Sequence, residues 1–345
     1  MPHDLPAPML AKAVAGIPDP AKHPGGLVFE PKWDGFRVLA SWDGESVELG
    51  SRGAKPLTPY FPELVDALAR ILPEPCVLDG EIVIAAGEPG SQRLSWDTLS
   101  QRIHPAASRI AKLSTETPAM LIAFDLLSVG GESLLDLPFR ERRARLENLL
   151  RDAPHPLHLT RTTEDHALAE RWLEEFEGAG LDGVVAKPAD QPYAAGKRTM
   201  LKIKHARTAD VVAVGYRIHK SGRGVGSILV GLYDEHGELH NVGGVSAFSD
   251  KRRLELIDEL EPLVSGVGEG ERSRFSAKKD VSFVALRPER VLEVRYDQLE
   301  GDPAFRMRFR HTVQFERWRP DRDTASCRFD QLDVPAKYDL ADVID

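Results

Sequence analysis

The pattern of apolar and polar positions divides the chain into two stretches of different character. Up to about residue 206, apolar runs of strand length alternate with segments in which apolar residues recur at helical spacing. Helices are predicted over residues 62–72, 139–150 and 164–176, with strands before and between them. The pattern therefore predicts an α+β domain over residues 1–206, built of antiparallel sheets with packed helices.

After residue 206 the chain consists of short β-like runs separated by glycines. One helical segment, residues 251–263, interrupts them, with Ser249 or Asp250 as its candidate N-cap. About five short strands with one helix suit a small closed β-barrel, and the oligonucleotide-binding fold is the leading candidate. We expect this barrel over residues 207–322, followed by an acidic tail, residues 323–345, that packs loosely.

Composition narrows the class of protein further. The chain has 345 residues, of which 42% are hydrophobic, so it can bury two cores. It contains no membrane-length apolar run and no signal-peptide pattern at its start, and its two cysteines lie outside any metal-ligand spacing. We therefore expect a protein of the reducing cytoplasm. The formal net charge of -9 argues against a globally basic nucleic-acid binder but permits a local basic face.

Charged groups are concentrated in residues 29–37, which read Phe-Glu-Pro-Lys-Trp-Asp-Gly-Phe-Arg. The pair Asp34-Gly35 predicts a tight hairpin turn, because glycine accepts positive φ and aspartate tolerates it. Lys32 lies just before this turn, between two carboxylates. It is either a surface lysine beside an ordinary hairpin or a nucleophile, and nine residues alone leave both interpretations open.

A nucleophilic lysine needs surroundings that disfavour its charged form, because a free lysine with a pKa of about 10.4 is protonated at neutral pH. Burial and neighbouring cations both act in this direction. Candidate neighbours are Arg37, Lys187, Lys202 and Lys204. Strand periodicity places the amines of Lys202 and Lys204 on one face, with Ile203 on the other. The alternative is a solvated edge strand, where lysine is common.

The segment 182–187, Asp-Gly-Val-Val-Ala-Lys, is a second candidate strand, and it has an ionisable side chain at each end. Strand periodicity places Val185 and Lys187 on the same face. Asp182 would point the other way unless the strand bends at Gly183, which glycine makes easy. The alternative interpretation is a buried strand entered through an Asp-Gly turn.

Two other strand residues have both a structural and a functional interpretation. Glu81 interrupts an apolar run, so its carboxylate lies either on a wet face or beside a partner, where it could bind a ribose hydroxyl or a divalent cation. Phe124, at the end of another apolar run, is either a core residue or a surface on which a purine stacks.

Taken in order, these motifs resemble those of the ATP-dependent DNA ligases, which form the covalent nucleotidyltransferase family together with RNA ligases and mRNA capping enzymes. The resemblance covers about residues 8–322 and is closest to the small two-domain bacterial ligases similar to the ligase module of end-joining enzymes. The motifs are Glu-x-Lys-x-Asp-Gly-x-Arg (30–37), Ser-Arg (51–52), Asp-Gly-Glu (79–81), Phe-Asp-Leu-Leu (124–127), Asp-Gly-Val-Val-x-Lys (182–187), Lys-x-Lys (202–204) and a late segment rich in arginine (310–322).

The resemblance implies a nucleotidyltransferase domain followed by an oligonucleotide-binding barrel. It implies that Lys32 attacks the α-phosphorus of ATP to form lysyl-AMP. The AMP then passes to a 5′-phosphate, and a 3′-hydroxyl displaces it to seal a nick in double-stranded DNA. Mg²⁺ or Mn²⁺ would be required. We expect a monomer that acts at the nucleoid in DNA repair, with no membrane contact and with protein partners that the sequence does not identify.

The resemblance also implies a role for individual residues. Glu30 would read the adenine amino group, and Phe124 and Val185 would contact the two faces of the base. Arg37 and Glu81 would hold the ribose. The implied phosphate contacts are Arg52, Lys187, Arg198, Lys202 and Lys204, the implied metal ligands are Glu81 and Asp182, and the implied pyrophosphate-orienting residues are Arg317 and Arg319.

Two positions depart from the pattern of the family. Asp182 stands where the family often has glutamate, and the shorter side chain could shift or weaken a metal contact. Arg322 follows Asp321 where lysine is common, which keeps the charge but loses a compact amine.

Two alternative functions remain open at this point: an RNA ligase or another covalent nucleotidyltransferase, and a non-catalytic nucleic-acid binding module. Glu30 and the form of the last motif favour a DNA ligase that uses adenine, while Lys32 argues against a silent module. Loop cations of the second domain either contact DNA or are ordinary solvated charges; they are Lys220, Arg223, Lys278 and Lys279.

Overall fold

The computed structural model describes residues 5–53, 55–104, 106–269, 282–302, 306–333 and 335–344. They form two compact units. The first comprises Met1–Lys204 together with Pro335–Asp345, and the second comprises His205–Val334. The second unit is therefore inserted, in sequence, between the two segments that build the first.

The first unit contains twelve strands and six helices among its described residues. The strands are β1 (Leu10–Val14), β2 (Leu27–Pro31), β3 (Phe36–Trp42), β4 (Val47–Ser51), β5 (Cys76–Val83), β6 (Ala85–Ala86), β7 (Arg93–Leu94), β8 (Met120–Val129), β9 (Glu132–Ser133), β10 (Leu157–Leu159), β11 (Val184–Pro188) and β12 (Arg198–Ile203). The helices are α1 (Pro62–Ile71), α2 (Trp96–Ser100), α3 (Ala107–Glu116), α4 (Phe139–Leu149), α5 (His166–Glu175) and α7 (Ala341–Ile344), with α6 (Asp250–Leu260) in the second unit.

The first unit is built on two main sheets. One has the order β1-β12-β11-β2, and the other has the order β10-β8-β5-β3-β4 with β9 paired to β8. Both sheets are mixed, because β1 runs parallel to β12 and β10 runs parallel to β8. The other strand pairs of these two sheets are antiparallel, as the sequence predicted. The α4 crossover between β8 and β10 explains one parallel pair, since a crossover returns the chain in its original direction.

Residues 29–37 do not form the predicted hairpin. Strand β2 belongs to the first sheet and β3 to the second, so the intervening segment crosses from one sheet to the other. Gly35 does not adopt positive φ; a Cβ atom there would lie 2.1 Å from the carbonyl oxygen of Ile82. Glycine is therefore required at this position for a close approach of two backbones, not for a turn.

The predicted helices agree closely with the observed ones. Helices α1, α4 and α5 lie within one or two residues of their expected bounds. After α5 a short 3₁₀ turn ends at Gly180, which adopts a left-handed conformation with φ of 88°. In the second unit, the hydroxyl of Ser249 accepts a hydrogen bond from the backbone N–H of Arg252 and so caps α6 (Asp250–Leu260).

The C-terminal segment packs against the first unit and is not loose. Leu340 and Val343 are fully buried, in the same apolar cluster as Phe29, Trp33 and Trp172. The backbone N–H of Leu340 also donates to the carbonyl of Gln92. The acidic composition of the tail concealed the few apolar side chains that anchor it.

The second unit is a curled sheet around one apolar core. Its strands are β13 (Arg207–Ile218), β14 (Val225–Tyr233), β15 (Leu239–Val245), β16 (Val264–Glu269), β17 (Ser282–Leu286), β18 (Val291–Tyr296), β19 (Leu299–Asp302), β20 (Arg306–Phe309) and β21 (Gln314–Trp318). The path β15-β14-β13-β18-β21 curls round, and a single parallel bridge between Val245 and Val313 joins its two ends. The oligonucleotide-binding fold is thus confirmed as a curled, partly closed barrel.

None of the helices in the described part of the chain is both long enough and apolar enough to cross a membrane.

Replacement of Leu340 by alanine should lower the free energy of unfolding by about 2–4 kcal/mol, because it leaves a cavity in a packed core. Urea denaturation followed by tryptophan fluorescence measures this, since two tryptophans share the cluster. The exposed neighbour Lys337 provides the control, and Lys337→Ala should change the free energy by less than about 0.5 kcal/mol. Equal effects of the two substitutions would show that the tail does not contribute to the core.

Candidate active site

Residues from both sheets of the first unit line one cavity of about 490 Å³, a size suited to a small ligand. Strands β2, β11 and β12 contribute from one sheet, and β3, β5 and β8 contribute from the other. The predicted site residues that line this cavity are Glu30, Lys32, Arg37, Arg52, Glu81, Phe124, Val185, Lys187, Arg198 and Lys202.

One side of the cavity follows directly from strand register. Glu30 pairs with Val185 across β2 and β11, and Val185 pairs with Lys202 across β11 and β12. The three side chains thus form a row across the sheet. Ile203 is fully buried in the core on the opposite face, as period-two geometry predicted.

Phe124 reaches the cavity because of an irregularity in the other sheet. Asp79 pairs with Asp125 and Gly80 pairs with Ala123, so Phe124 is the extra residue of a β-bulge. A bulge redirects a side chain relative to the regular ladder. The carbonyl oxygen of Phe124 accepts a hydrogen bond from Lys187 at 3.0 Å.

The amine of Lys32 is held by the carboxylate of Asp182, to which it donates a hydrogen bond. Lys204 contacts the other oxygen of the same carboxylate at 2.9 Å. Asp182 can reach this position because Gly183 adopts a φ of 128°, which bends the chain just before β11. The backbone N–H of Lys32 donates to the carbonyl of Gly183, and the N–H of Asp182 donates to the carbonyl of Lys32.

Lys202 lies in the same cationic neighbourhood. Burial lowers the pKa of its amine, and the positive charges of Lys32 and Lys204 act in the same direction. Asp182 partly opposes this effect. Two amines, those of Lys32 and Lys204, thus share the carboxylate of Asp182, and the Lys202 amine beside them is the one whose charged form is disfavoured.

Glu30 and Lys187 form a buried ion pair of 2.8 Å, in which each side chain is 3% exposed. Burial raises the pKa of Glu30 even against the charge of Lys187. The second carboxylate oxygen, Oε1, is buried and has no hydrogen-bond partner among the residues that the structure describes. Because a buried acceptor without a partner is costly, this oxygen marks a position where a ligand donor would be favourable.

On the opposite side, Arg37 binds Asp79 through both arms of its guanidinium group, at 2.5 and 2.7 Å. The guanidinium carbon lies 4.3 Å from the centre of the Phe124 ring. Glu81, which pairs with Arg37 in the strand register, accepts a hydrogen bond from the backbone N–H of Gly35. Burial raises the pKa of Glu81 to about 7, although Arg37 and then Lys32 favour its charged form.

Two predicted cations, Arg52 and Arg198, line the cavity with side chains exposed to solvent. The arm formed by residues 7–11, before and at the start of β1, lines it as well, although none of these residues was among the predicted site residues. Asp79, Tyr193 and the backbone of Met9 were also missed. Asp79 could have been found from its place in the Asp-Gly-Glu motif, two residues before Glu81 and on the same strand face.

Arg317 and Arg319 lie in the second unit, where each binds a carboxylate. Arg317 donates to Glu293 at 2.6 Å, and Arg319 donates to Asp210 and Asp321. The two guanidinium groups therefore do not share one anion in this structure. Of the predicted DNA-contacting cations, Lys220 and Arg223 are exposed between β13 and β14, and the remaining two, Lys278 and Lys279, lie outside the described residues.

A nucleotide-sized cavity with a lysine among cations, followed in the chain by a curled barrel, defines a two-domain nucleotidyltransferase. The family model described as ATP dependent DNA ligase domain matches residues 8–204, and the model described as ATP dependent DNA ligase C terminal region matches residues 221–322. The chain belongs to the family of ATP-dependent DNA ligases, and it is a DNA ligase enzyme.

Similar proteins support this assignment over nearly the full length. The chain is 56% identical to DNA ligase C1 of Mycolicibacterium smegmatis, over 98% of this chain and 97% of that protein. It is 49% identical to DNA ligase C of Mycobacterium tuberculosis, over 98% and 96%. A solved structure of a Lig E DNA ligase shares the fold with a TM-score of 0.54 at 18% identity, covering 92% of this chain and all of that one.

Gly183→Ala should cost at least about 2 kcal/mol of stability, because the added Cβ would lie 2.0 Å from the carbonyl oxygen of Ile203 at a φ that side chains rarely adopt. Thermal unfolding measures the loss. Gly131→Ala is the matched control, since Gly131 also has positive φ but open space around it, and about 1 kcal/mol is expected there. Similar losses in both variants would mean that the crowding at Gly183 is not significant.

Proposed function

We propose that this ligase seals nicks between a 5′-phosphate and a 3′-hydroxyl in double-stranded DNA, with Lys32 as the residue that carries AMP. The observation that carries the proposal is the environment of the Lys32 amine. It borders a nucleotide-sized cavity, contacts Asp182 and has further cations close by. A carboxylate in contact with the amine offers an acceptor for the proton that a nucleophilic lysine must lose, and the neighbouring cations suit the phosphates of ATP.

The first step forms a bond between Lys32 Nζ and the α-phosphorus of ATP and breaks the bond from that phosphorus to the pyrophosphate oxygen. Asp182 is placed to take the proton that the amine loses, because it already accepts a hydrogen bond from Nζ. AMP then passes from Lys32 to the 5′-phosphate of the nick. Attack by the 3′-hydroxyl forms the phosphodiester bond and releases AMP.

Glu30 supports adenine as the base that this cavity accepts. Its unpartnered Oε1 atom is an acceptor only, and the exocyclic amino group of adenine is a donor. Guanine presents a carbonyl oxygen at the corresponding ring position, so it would leave this acceptor unpaired. Phe124 and Val185 offer apolar surfaces for the two faces of the base.

The remaining cavity residues suit the sugar and phosphates. Arg37 and Glu81 would hold the ribose, with Arg37 already oriented by Asp79. A triphosphate needs several positive groups to neutralise it, and positioning with charge neutralisation is the larger part of catalysis in this chemistry. The cations proposed for this role are Arg52, Lys187, Arg198, Lys202 and Lys204.

Glu81 and Asp182 would hold the Mg²⁺ or Mn²⁺ ion. The donor set fits, because both are carboxylates, which such hard cations prefer, and both lie near Lys32. When bound, the metal would neutralise charge on the phosphate oxygens.

Arg317 and Arg319 are proposed to orient the pyrophosphate leaving group. Guanidinium suits phosphate because its planar fork donates two parallel hydrogen bonds. Both arginines now bind carboxylates, so a phosphate would have to replace these partners. Glu293 is the partner of the more exposed arginine, Arg317, which makes that exchange the easier one.

The second unit is proposed to bind the duplex through exposed loop cations such as Lys220 and Arg223. DNA binding should therefore weaken with salt even though the whole chain is acidic. We place the activity in DNA repair, at the nucleoid, and propose a monomer as the working form.

Lys32→Ala should abolish transfer of label from [α-³²P]ATP to the protein, because no other side chain can supply an amine at that position. Lys32→Arg should be equally inactive, since guanidinium stays protonated. Both variants should retain sealing of a nick that already carries AMP on its 5′-phosphate. Lys12→Ala, in the exposed part of β1, is the control. Stable labelling of Lys32→Ala would refute the assignment.

Glu30→Ala should raise the ATP concentration needed for half-maximal lysyl-AMP formation and reduce the preference for ATP over GTP by about tenfold or more, since the polar group that reads the base is gone. Competition between the two labelled nucleotides measures the preference. Glu30→Gln keeps the shape but adds a donor, so it should also lose preference for ATP. An unchanged preference in both variants would show that another group reads the base.

A further inference from the structure

Four groups from distant parts of the chain meet behind the wall of the cavity. The Tyr193 hydroxyl donates to Asp79 Oδ2 at 2.7 Å and accepts a hydrogen bond from the backbone N–H of Met9 at 3.0 Å. The same carboxylate of Asp79 accepts both arms of Arg37. Met9 and Arg37 line the cavity, whereas Asp79 and Tyr193 do not.

The hydrogen bonds of this cluster fix both the hydroxyl and the backbone of Tyr193. A phenol has one proton to donate, and here it goes to Asp79, which is fully buried. The backbone of Tyr193 is fixed as well, because its N–H donates to the carbonyl of Leu135. The following residue, Ala194, donates its N–H to the sulfur of Met9. Tyr193 is therefore a rigid link between the arm and the carboxylate.

This link affects the cavity because the carboxylate of Asp79 sets the orientation of the Arg37 guanidinium group. If Asp79 contacted only the N–H groups of Arg37, the carboxylate and the guanidinium group could rotate together. The third hydrogen bond, from the Tyr193 hydroxyl, prevents this rotation. Burial keeps the phenol protonated and raises its pKa, so it stays a donor. The Arg37 guanidinium is also fixed over the Phe124 ring.

The simpler interpretation is that Tyr193 is a core tyrosine whose hydroxyl happens to be satisfied. It is 7% exposed and packs in an apolar cluster with Met9, Leu39 and Met200. On that interpretation its hydroxyl affects stability only. The positions of its two partners argue for more: Met9 lines the cavity itself, and Asp79 holds Arg37, which lines it.

We propose that Tyr193 is a positioning residue for ATP: its hydroxyl locks Asp79 and the residue 7–11 arm together, and thereby sets the orientation in which Arg37 meets the ribose. The inference rests on the proposed function, in which Arg37 holds the sugar. It assigns ribose recognition to a residue that does not itself touch the ligand.

The test is Tyr193→Phe, which removes one oxygen atom and keeps the ring. The ATP concentration for half-maximal lysyl-AMP formation should rise by about tenfold, the equivalent of one hydrogen bond to a charged group. The maximal rate should stay within about twofold, since the groups at the α-phosphorus are untouched. The preference for ATP over 2′-deoxy-ATP and 3′-deoxy-ATP should fall by a similar factor.

Tyr216→Phe is the matched control, because Tyr216 is also buried but belongs to the core of the second unit. It should leave the ATP requirement and the preference for ribose unchanged. Loss of thermal stability in Tyr193→Phe with an unchanged ATP requirement and unchanged ribose preference would overturn the proposal and leave Tyr193 as a core residue.

Arg37→Lys separates this inference from the proposed function. Lysine keeps a positive charge beside Asp79 but cannot bind both oxygens, so ribose preference should fall, and adding Tyr193→Phe should cause little further loss. If Arg37→Lys loses the preference while Tyr193→Phe keeps it, the inference fails and the role of Arg37 stands. If Arg37→Lys itself keeps the preference, the ribose assignment fails and the inference fails with it.

Discussion

The cavity of the first unit is built around the contact between Lys32 and Asp182, which the backbone holds where the chain passes from one sheet to the other. Lys32 lies where the chain leaves one sheet for the other, and Asp182 reaches it only because Gly183 bends the chain before β11. Two backbone hydrogen bonds fix the two segments against each other. The proposed nucleophile and its carboxylate, 150 residues apart in sequence, are therefore held by backbone geometry and not by flexible side chains alone.

The cavity is organised by buried charges, which are expensive unless they are paired. Lys187 forms an ion pair with one oxygen of Glu30, and Asp79 forms an ion pair with Arg37. Two groups indicate what the cavity binds. The free oxygen of Glu30 and the amine of Lys202, whose pKa is lowered by burial and by neighbouring cations, are both unfavourable without a ligand, and a base with an amino group and a chain of phosphates would satisfy both. The site is preorganised for a nucleotide in this sense.

The second unit shows why net charge alone was a weak guide. The chain carries a formal charge of -9, yet its function requires DNA. In the curled sheet, Arg317 of the last strand, β21, is neutralised by Glu293 on the neighbouring strand β18. Charges paired in this way contribute little to the field of the molecule but can be released to phosphate when a partner replaces them.

The sequence by itself determined whatever depends on local periodicity and on the order of motifs. It predicted three of the six helices of the first unit, the shared face of Val185 and Lys187, and most of the residues that line the cavity, because these follow from side-chain spacing and from a recognisable series of motifs. It could not decide which strands pair. In the tertiary structure the segment at Gly35 crosses between two sheets and does not form the expected hairpin. A β-bulge directs Phe124 into the cavity, and Leu340 is buried in the core. It also brought Tyr193 to Asp79. Each of these results from contacts between residues distant in sequence, and no local pattern of polarity encodes such contacts.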